Sequence, residues 1–477
     1  MFNLPGNLTV TSTPIRVTAN NCSTLIRYEI LEGNTQPISN LVWSDYVNYG
    51  FYSPPQLATA YGMPASDGAG VKIGIIAPQG GGFKQSDLNS SYAQLIKDGK
   101  IPAGTVTPTI KSVLIDGVTG QWANDPLGVN GENTLDIYCV ATLVPKANIV
   151  IYFGNVGSDI FNATKWDRTI RKAVDDGCDI LTMSYALPAE PIYGVPDLES
   201  TMAYVESKGV AICISSGDYG AIEQFVANIP DGWPNTPAVL YPGSSPNVIA
   251  VGGTKIILNS NDTRLSESDD NRDANFSNAW GGGGGVSEMY PAPDFQYGLK
   301  YTPVTSANLF LTGGTIGMNT ANSGIIGTPQ TLDTRGVPDV SLSMSGYVMY
   351  ESGGIVGVGG TSASAPVLAA FLARFQALTG VRRSSTQWNK IFYSNPNAFY
   401  DILVGTNNNV VSYAGYAVGY AGTKEWDAVT GLGPLIGDQI FNILTRNARY
   451  LKTNYGYRPT VGRVWPRGPR PLRKVRT

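Results

Sequence analysis

From residue 71 onward, apolar residues gather into short, regular runs. Buried-type strands, largely apolar, are expected at 71–77, 148–153, 179–185, 209–214 and 247–251. Helical spacing fills several of the gaps, at 134–143, 166–176 and 197–207. A strand covered on both faces reads as a continuous apolar run, whereas a half-solvated strand alternates. Continuous strands alternating with helices therefore predict an α/β chain: a doubly wound, mostly parallel sheet with helices on both faces. In such sheets the chemistry collects in loops at the carboxyl ends of the strands.

The flanks read differently. Residues 1–45 are rich in Thr, Asn and Ser, with one strand-like run at 23–30, and resemble an arm or a small β element. A short helix is expected at 52–61, entered through Pro54 and Pro55. Beyond Gly253 the chain turns Gly-, Asn- and Ser-rich, and Trp280 precedes five glycines, Gly281 to Gly285, which read as a flexible loop. Strand character resumes at 337–350. A glycine-broken apolar run then leads through Gly359-Gly360-Thr361-Ser362-Ala363-Ser364-Ala365-Pro366 into an apolar helix at 367–378. A last helix is expected at 435–451, followed by a Pro-, Gly- and Arg-rich end to which no structure is assigned.

Composition narrows this picture. The 477 residues, 42% hydrophobic and 14% charged, describe a globular chain of one large or two ordinary domains. No apolar stretch reaches the roughly 18 residues a membrane span needs, and Met1-Phe2-Asn3-Leu4-Pro5 shows neither a basic nor an apolar leader region, so no signal peptide is expected. Cys22, Cys139, Cys178 and Cys213 form no CxxC pair, and the last three fall in apolar patterns that suit buried free thiols. Of the 33 basic residues, ten lie between Arg446 and Thr477 beside none of the 36 acidic ones. The body is acidic and the tail is basic.

The chain contains no histidine. Ser362 sits where unpaired helix N–H groups and the positive dipole end favour a nucleophile whose product carries an oxyanion. Without imidazole its base must be a lysine or a carboxylate. Glu132 and Asp136, four apart on an otherwise apolar helix, share one helical face, and such a pair splits its protons so that one carboxyl can act as base while the other orients it. The same pair also suits an acidic helix start that does no chemistry. Asp218, in Ser215-Ser216-Gly217-Asp218 after an apolar strand, reads either as a turn aspartate or as a protonated carboxyl that donates to an oxyanion.

Together the serine loop, the Glu-x-x-x-Asp helix and the Ser-Gly-Asp turn resemble the sedolisins, the serine-carboxyl peptidases of subtilisin-like fold. Further matches are Gly70-Val71-Lys72-Ile73-Gly74-Ile75-Ile76, Ala250-Val251-Gly252-Gly253-Thr254, the glycine run before Val286-Ser287, and Arg335-Gly336-Val337-Pro338-Asp339-Val340-Ser341. The resemblance implies Ser362 as nucleophile, Glu132 as general base, Asp136 as its orienting partner and Asp218 in the oxyanion hole, with an acidic optimum. It also implies one structural Ca²⁺, held by Asp401 and Asp427 and by the carbonyls of Ile402, Thr423 and Glu425, with Glu425 standing where the family has glycine. Residues 51–445 would form the peptidase domain. Residues 1–50 would be an arm or a short pro-segment remnant where the family carries a long pro-domain, and 446–477 would be an atypical basic tail.

Two functional classes follow. One is an acid-acting endopeptidase that cleaves polypeptides through an acyl-enzyme on Ser362. The other is a structural or assembly protein, such as a virion component, that keeps the fold with little or no peptidase activity. The tail at 446–477 reads either as a contact for a polyanion or for the acidic body of a second copy, or as a solvated terminus.

Overall fold

Eight strands form the central sheet among the described residues of the computed structural model, which are 15–19, 26–32, 36–37, 40–79, 81–123, 125, 128–155, 163–185, 196–221, 237–269, 281–305, 325–403, 409–411 and 416–455. Two strands come first in the chain, β1 (Ile15–Ala19) and β2 (Ile26–Glu32). The central sheet takes β3 (Lys72–Pro78), β4 (Lys111–Leu114), β5 (Asn148–Gly154), β6 (Ile180–Met183), β7 (Ala211–Ser215), β8 (Ile249–Leu258), β9 (Arg264–Asp269) and β10 (Val340–Ser343). Its order is β9-β8-β7-β6-β3-β5-β4, with β10 also paired to β8. Only β9 runs antiparallel to its neighbour; the other pairings are parallel.

Strand β3 is hydrogen-bonded on one side to β5 and on the other to β6, and its residues after Lys72 are all buried. Strands β6 and β7 are buried throughout. Continuous burial of successive side chains, which point to opposite faces, means that both faces of the sheet are covered. Two helix pairs provide the cover. One pair is α1 (Asn130–Leu143) with α4 (Thr361–Thr379), and the other is α2 (Ala163–Asp175) with α3 (Pro196–Ser207). Helix α4 packs along β6, β7, β8 and β10, which sets its first turn against the strand ends where Ser184 and Asp218 emerge. Helices α5 (Ser385–Tyr393) and α6 (Gly437–Tyr455) follow.

A hairpin, β11 (Tyr347–Glu351) and β12 (Gly354–Gly359), leads directly into α4. The N-terminal arm does not stand apart from it. Strand β2 runs antiparallel to β12, with Tyr28 opposite Gly357, Arg27 opposite Val358 and Ile26 opposite Gly359, and β1 pairs with β2 in turn. The strand expected at 23–30 is therefore β2, shifted by a few residues. Cys139, Cys178 and Cys213 are buried free thiols. Cys22, Trp280 and residues 456–477 of the basic tail lie outside the described residues. Among the described residues no helix is long and apolar enough to cross a membrane.

Candidate active site

Ser362 does not sit on a loop ahead of its helix. Helix α4 begins at Thr361, six residues before the expected start, and Ser362 lies fully buried in its first turn. Gly360 makes the entry possible, because its φ of 107° belongs to a region that side-chain-bearing residues avoid. Pro366 lies inside the helix. It has no N–H to give the carbonyl four residues back, which is that of Ser362. The hydroxyl of Ser184, just beyond β6, lies 3.2 Å from that carbonyl oxygen.

Helix α1 supplies the carboxylates. All fourteen of its residues are buried, Glu132 and Asp136 wholly so. The helix starts without a capping side chain on Val129; instead the Asp125 carboxylate accepts the N–H groups of Val129 at 2.7 Å and Asn130 at 3.0 Å. That carboxylate also complements the helix dipole. Ser362 Oγ donates to Glu132 Oε2 at 3.0 Å. Ser184 Oγ donates to Asp136 Oδ1 at 2.7 Å, and the Asp136 and Glu132 carboxyls are hydrogen-bonded to each other. Burial pushes Asp136 up to about 8, against the opposing pull of the bonds from Ser184 and Glu132. The Cys139 thiol, one turn on, is raised well above its ordinary value by burial and then by both carboxylates.

Asp218 follows β7 and is almost fully buried. Its Oδ1 accepts two bonds from Thr361, from the backbone N–H at 2.8 Å and from Oγ1 at 2.8 Å. The glycines 281–285 are not a loose loop. The Gly281 N–H donates to the Asp218 carbonyl at 2.6 Å, that of Gly283 to Gly217 at 2.8 Å, and that of Gly284 to Gly220 at 3.1 Å. A Cβ on Gly284 would stand 2.3 Å from the carbonyl oxygen of Ala428. The run is glycine because backbone packs on backbone there. Composition alone cannot separate that requirement from flexibility.

Four predicted residues thus converge from three separate stretches: Ser362, Glu132 and Asp136 in one hydrogen-bonded group, and Asp218 one residue away through Thr361. Sequence reasoning missed Ser184 and Thr361. Thr361 lies inside the quoted serine loop, and Ser184 lies at the carboxyl end of an expected strand, where the functional polar residues of a parallel sheet gather. It also missed Asn130 and Asn133, whose side chains fasten α1 to Gly82 at 2.7 Å and 3.2 Å, with Tyr185 Oη donating to Asn133 Oδ1 at 3.2 Å. The Arg335–Asp339 motif has a structural job. The two are wholly buried and joined by bonds of 2.7 and 2.6 Å, and Asp339 also accepts from Ala250 N and Tyr393 Oη. A buried ion pair persists only with its remaining lone pairs satisfied in this way.

The predicted metal-binding stretch is also assembled. Asp427 accepts N–H bonds from Thr423 at 3.0 Å, Val429 at 2.9 Å and Thr430 at 2.8 Å, while Asp401 Oδ2 accepts from Glu425 N at 2.9 Å. Burial pushes Asp427 up to about 7, and the neighbouring Asp401 adds to the rise. Asp401 Oδ1 is buried with no hydrogen-bond partner among the described residues. Glu425 has a φ of 67°, so a glutamate occupies a backbone conformation that suits glycine. Among the described residues no three His, Cys, Asp or Glu side chains cluster as metal ligands; the stretch brings two carboxylates, and any further ligands would be carbonyls.

Comparison with known proteins agrees with this architecture. The subtilase family model matches residues 123–388. Kumamolisin from Bacillus sp. (strain MN-32) is 31% identical over 83% of this chain and 64% of its own. Sedolisin from Pseudomonas sp. (strain 101) is 26% identical over 80% and 60%, and tripeptidyl-peptidase SED1 from Arthroderma otae is 25% identical over 78% and 60%. The chain therefore spans between 60% and 64% of the length of these curated relatives. The structure of Pseudomonas sedolisin (serine-carboxyl proteinase) complexed with pseudo-iodotyrostatin shares the fold, with a TM-score of 0.61 and 24% identity over 85% of this chain and 98% of that one. By sequence and by fold, this chain belongs to the subtilase family, in its sedolisin branch.

Proposed function

We propose that the protein is a serine-carboxyl endopeptidase that works in acid. The observation that carries this reading is the 3.0 Å bond from Ser362 Oγ to Glu132 Oε2 in a chain without histidine. Ser362 Oγ attacks the scissile carbonyl carbon while its proton passes to Glu132 Oε2. Asp136 orients the glutamate and keeps the pair from becoming doubly anionic. The carbonyl oxygen becomes an oxyanion and accepts a bond from protonated Asp218; since Thr361 holds Oδ1, the proton resides on Oδ2. The tetrahedral intermediate collapses, the C–N bond breaks and the amine leaves with the proton from Glu132. Water then attacks the Ser362 ester by the same route and releases the acid product. A carboxyl donates only while it is protonated, so loss of the Asp218 proton as the pH rises would end the cycle, which favours acid.

The donor set in the 401–427 region fits a hard cation. Asp401, Asp427 and the carbonyls of Ile402, Thr423 and Glu425 would hold one structural Ca²⁺, whose charge would satisfy the buried Asp401 Oδ1. The ion would brace the loop that abuts Asp339 and takes no part in bond cleavage.

The test is turnover of a denatured polypeptide between roughly pH 3 and 5, wild type against Ser362→Ala, with fragment termini sequenced. Internal cleavage by the wild type alone is expected. Release of tripeptides only would reassign the protein as an exopeptidase, and equal rates would remove the peptidase reading.

A further inference from the structure

Asp136 and Ser362 are linked by a residue that the proposed mechanism does not use. Ser184 is fully buried at the end of β6. Its hydroxyl lies 2.7 Å from Asp136 Oδ1 and 3.2 Å from the carbonyl oxygen of Ser362. Those two contacts close a ring: Ser362 Oγ to Glu132, Glu132 to Asp136, Asp136 to Ser184, and Ser184 back to the backbone of Ser362. Pro366 opens the place for Ser184 by withholding the N–H that would otherwise occupy the Ser362 carbonyl.

We infer that Ser184 is a positioning residue, whose hydroxyl fixes the orientation of the Asp136 carboxyl and holds the carboxyl pair, with the proton it shares, in register with the nucleophile. One hydroxyl hydrogen faces two acceptors, and the contact to Asp136 is the shorter. Asp136 Oδ1 accepts from Ser184, Glu132 Oε2 accepts from Ser362, and the two carboxyls share a hydrogen bond. With Oδ1 engaged by Ser184, the proton that the pair shares is favoured on the Oδ2 side of Asp136. Without the hydroxyl, the Asp136 carboxyl can turn, and either of its oxygens can take up the shared proton.

Among the described residues, the groups that bear on Asp136 are few. Ser184 and Glu132 contact it, and Cys139 on the same helix feels both carboxylates. The Ser184 bond favours ionised Asp136, in opposition to burial. Its loss therefore moves ionisation of Asp136 to higher pH, a change that a purely structural role would not produce.

The inference rests on the serine-carboxyl reading for its kinetic part and stands alone for its spectroscopic part. Protonated Asp136 is followed by its infrared carbonyl band in the Ser362→Ala background, which cannot digest itself, with Asp136→Asn identifying the band. In Ser184→Ala the band should persist to higher pH, and Ser184→Thr should restore the original titration. Ser184→Cys, a weaker donor of similar volume, should shift it less in the same direction, and it decides the matter if the alanine variant does not fold. In the chain that retains Ser362, Ser184→Ala should lower kcat by about 30-fold with KM unchanged, as expected for a buried acceptor that loses its donor away from substrate. An unmoved titration in the folded Ala and Cys variants overturns the inference. A shifted titration in a chain whose wild type cleaves nothing leaves the ring intact and removes the peptidase reading instead.

Discussion

The Asp136→Asn substitution should make the protein more stable in neutral solution and leave it little changed in acid. In the folded chain, burial keeps Asp136 protonated until about pH 8, while its ordinary value is 3.8. The folded value lies above the unfolded one, so this contribution to stability is complete below pH 3.8 and is lost as the pH climbs toward 8. In that window the native state holds one proton more than the unfolded state, and stability falls by about 1.4 kcal/mol per pH unit. The full interval is on the order of 6 kcal/mol, comparable to the total stability of many domains. Asparagine keeps the shape: its Oδ1 can accept from Ser184 and its amide can donate to Glu132, with nothing to titrate. Urea unfolding of Ser362→Ala and of Ser362→Ala/Asp136→Asn, followed from pH 4 to 8 by tryptophan fluorescence, reads the difference directly. Glu199 and Glu267 are also raised by burial, and because they titrate in both proteins they cancel. The two curves should diverge as the pH rises. A constant gap between them would show that Asp136 ionises in the folded protein like an exposed aspartate, and the account of the buried pair would fail.

Other predictions follow from single contacts. Asp218→Asn should keep an oxyanion donor at every pH and so flatten the alkaline fall of kcat, while Asp218→Ala should lose about 10²–10³ in kcat at the optimum; a pH profile of both variants checks this. Gly284→Ala should destabilise by about 2–3 kcal/mol or prevent folding, because the new Cβ meets the Ala428 carbonyl oxygen at 2.3 Å; denaturant midpoints measure it. Glu425→Gly should raise stability by about 1 kcal/mol by relieving a φ of 67°. Removal of calcium should lower Tm in the wild type and leave Asp401→Ala unmoved, which differential scanning calorimetry with and without chelator decides.

Much of the frame is legible because it is written locally. Mostly apolar runs mark strands β3, β5, β6 and β7 within a few residues and the start of β8, which runs on to Leu258, since a strand covered on both faces is largely apolar. Edges are harder. Antiparallel β9, with a largely exposed sequence, Arg-Leu-Ser-Glu-Ser-Asp, has no such run. The start of α4 escapes a sequence reading because Gly359-Gly360-Thr361-Ser362 has weak helix propensity, and packing against four strands overrides it. The glycine run hides its role for a related reason: glycine serves both flexible linkers and tight backbone contacts, and only the neighbours tell which.

The sequence by itself determined that no imidazole could serve Ser362 and that carboxylates or lysine must. It also determined that Glu132 and Asp136 share a helical face, since that spacing is a property of the helix alone. Tertiary structure decided what those residues meet. Glu132 and Ser362 are 230 positions apart and come within 3.0 Å because α1 and α4 pack on the same sheet. Full burial, which holds Asp136 protonated to about pH 8, is likewise a product of packing. Ser184 shows the division most clearly. Its type is unremarkable in the chain, and its place between Asp136 and the Ser362 carbonyl exists only once the strands are in register and Pro366 has left that carbonyl without its helical donor.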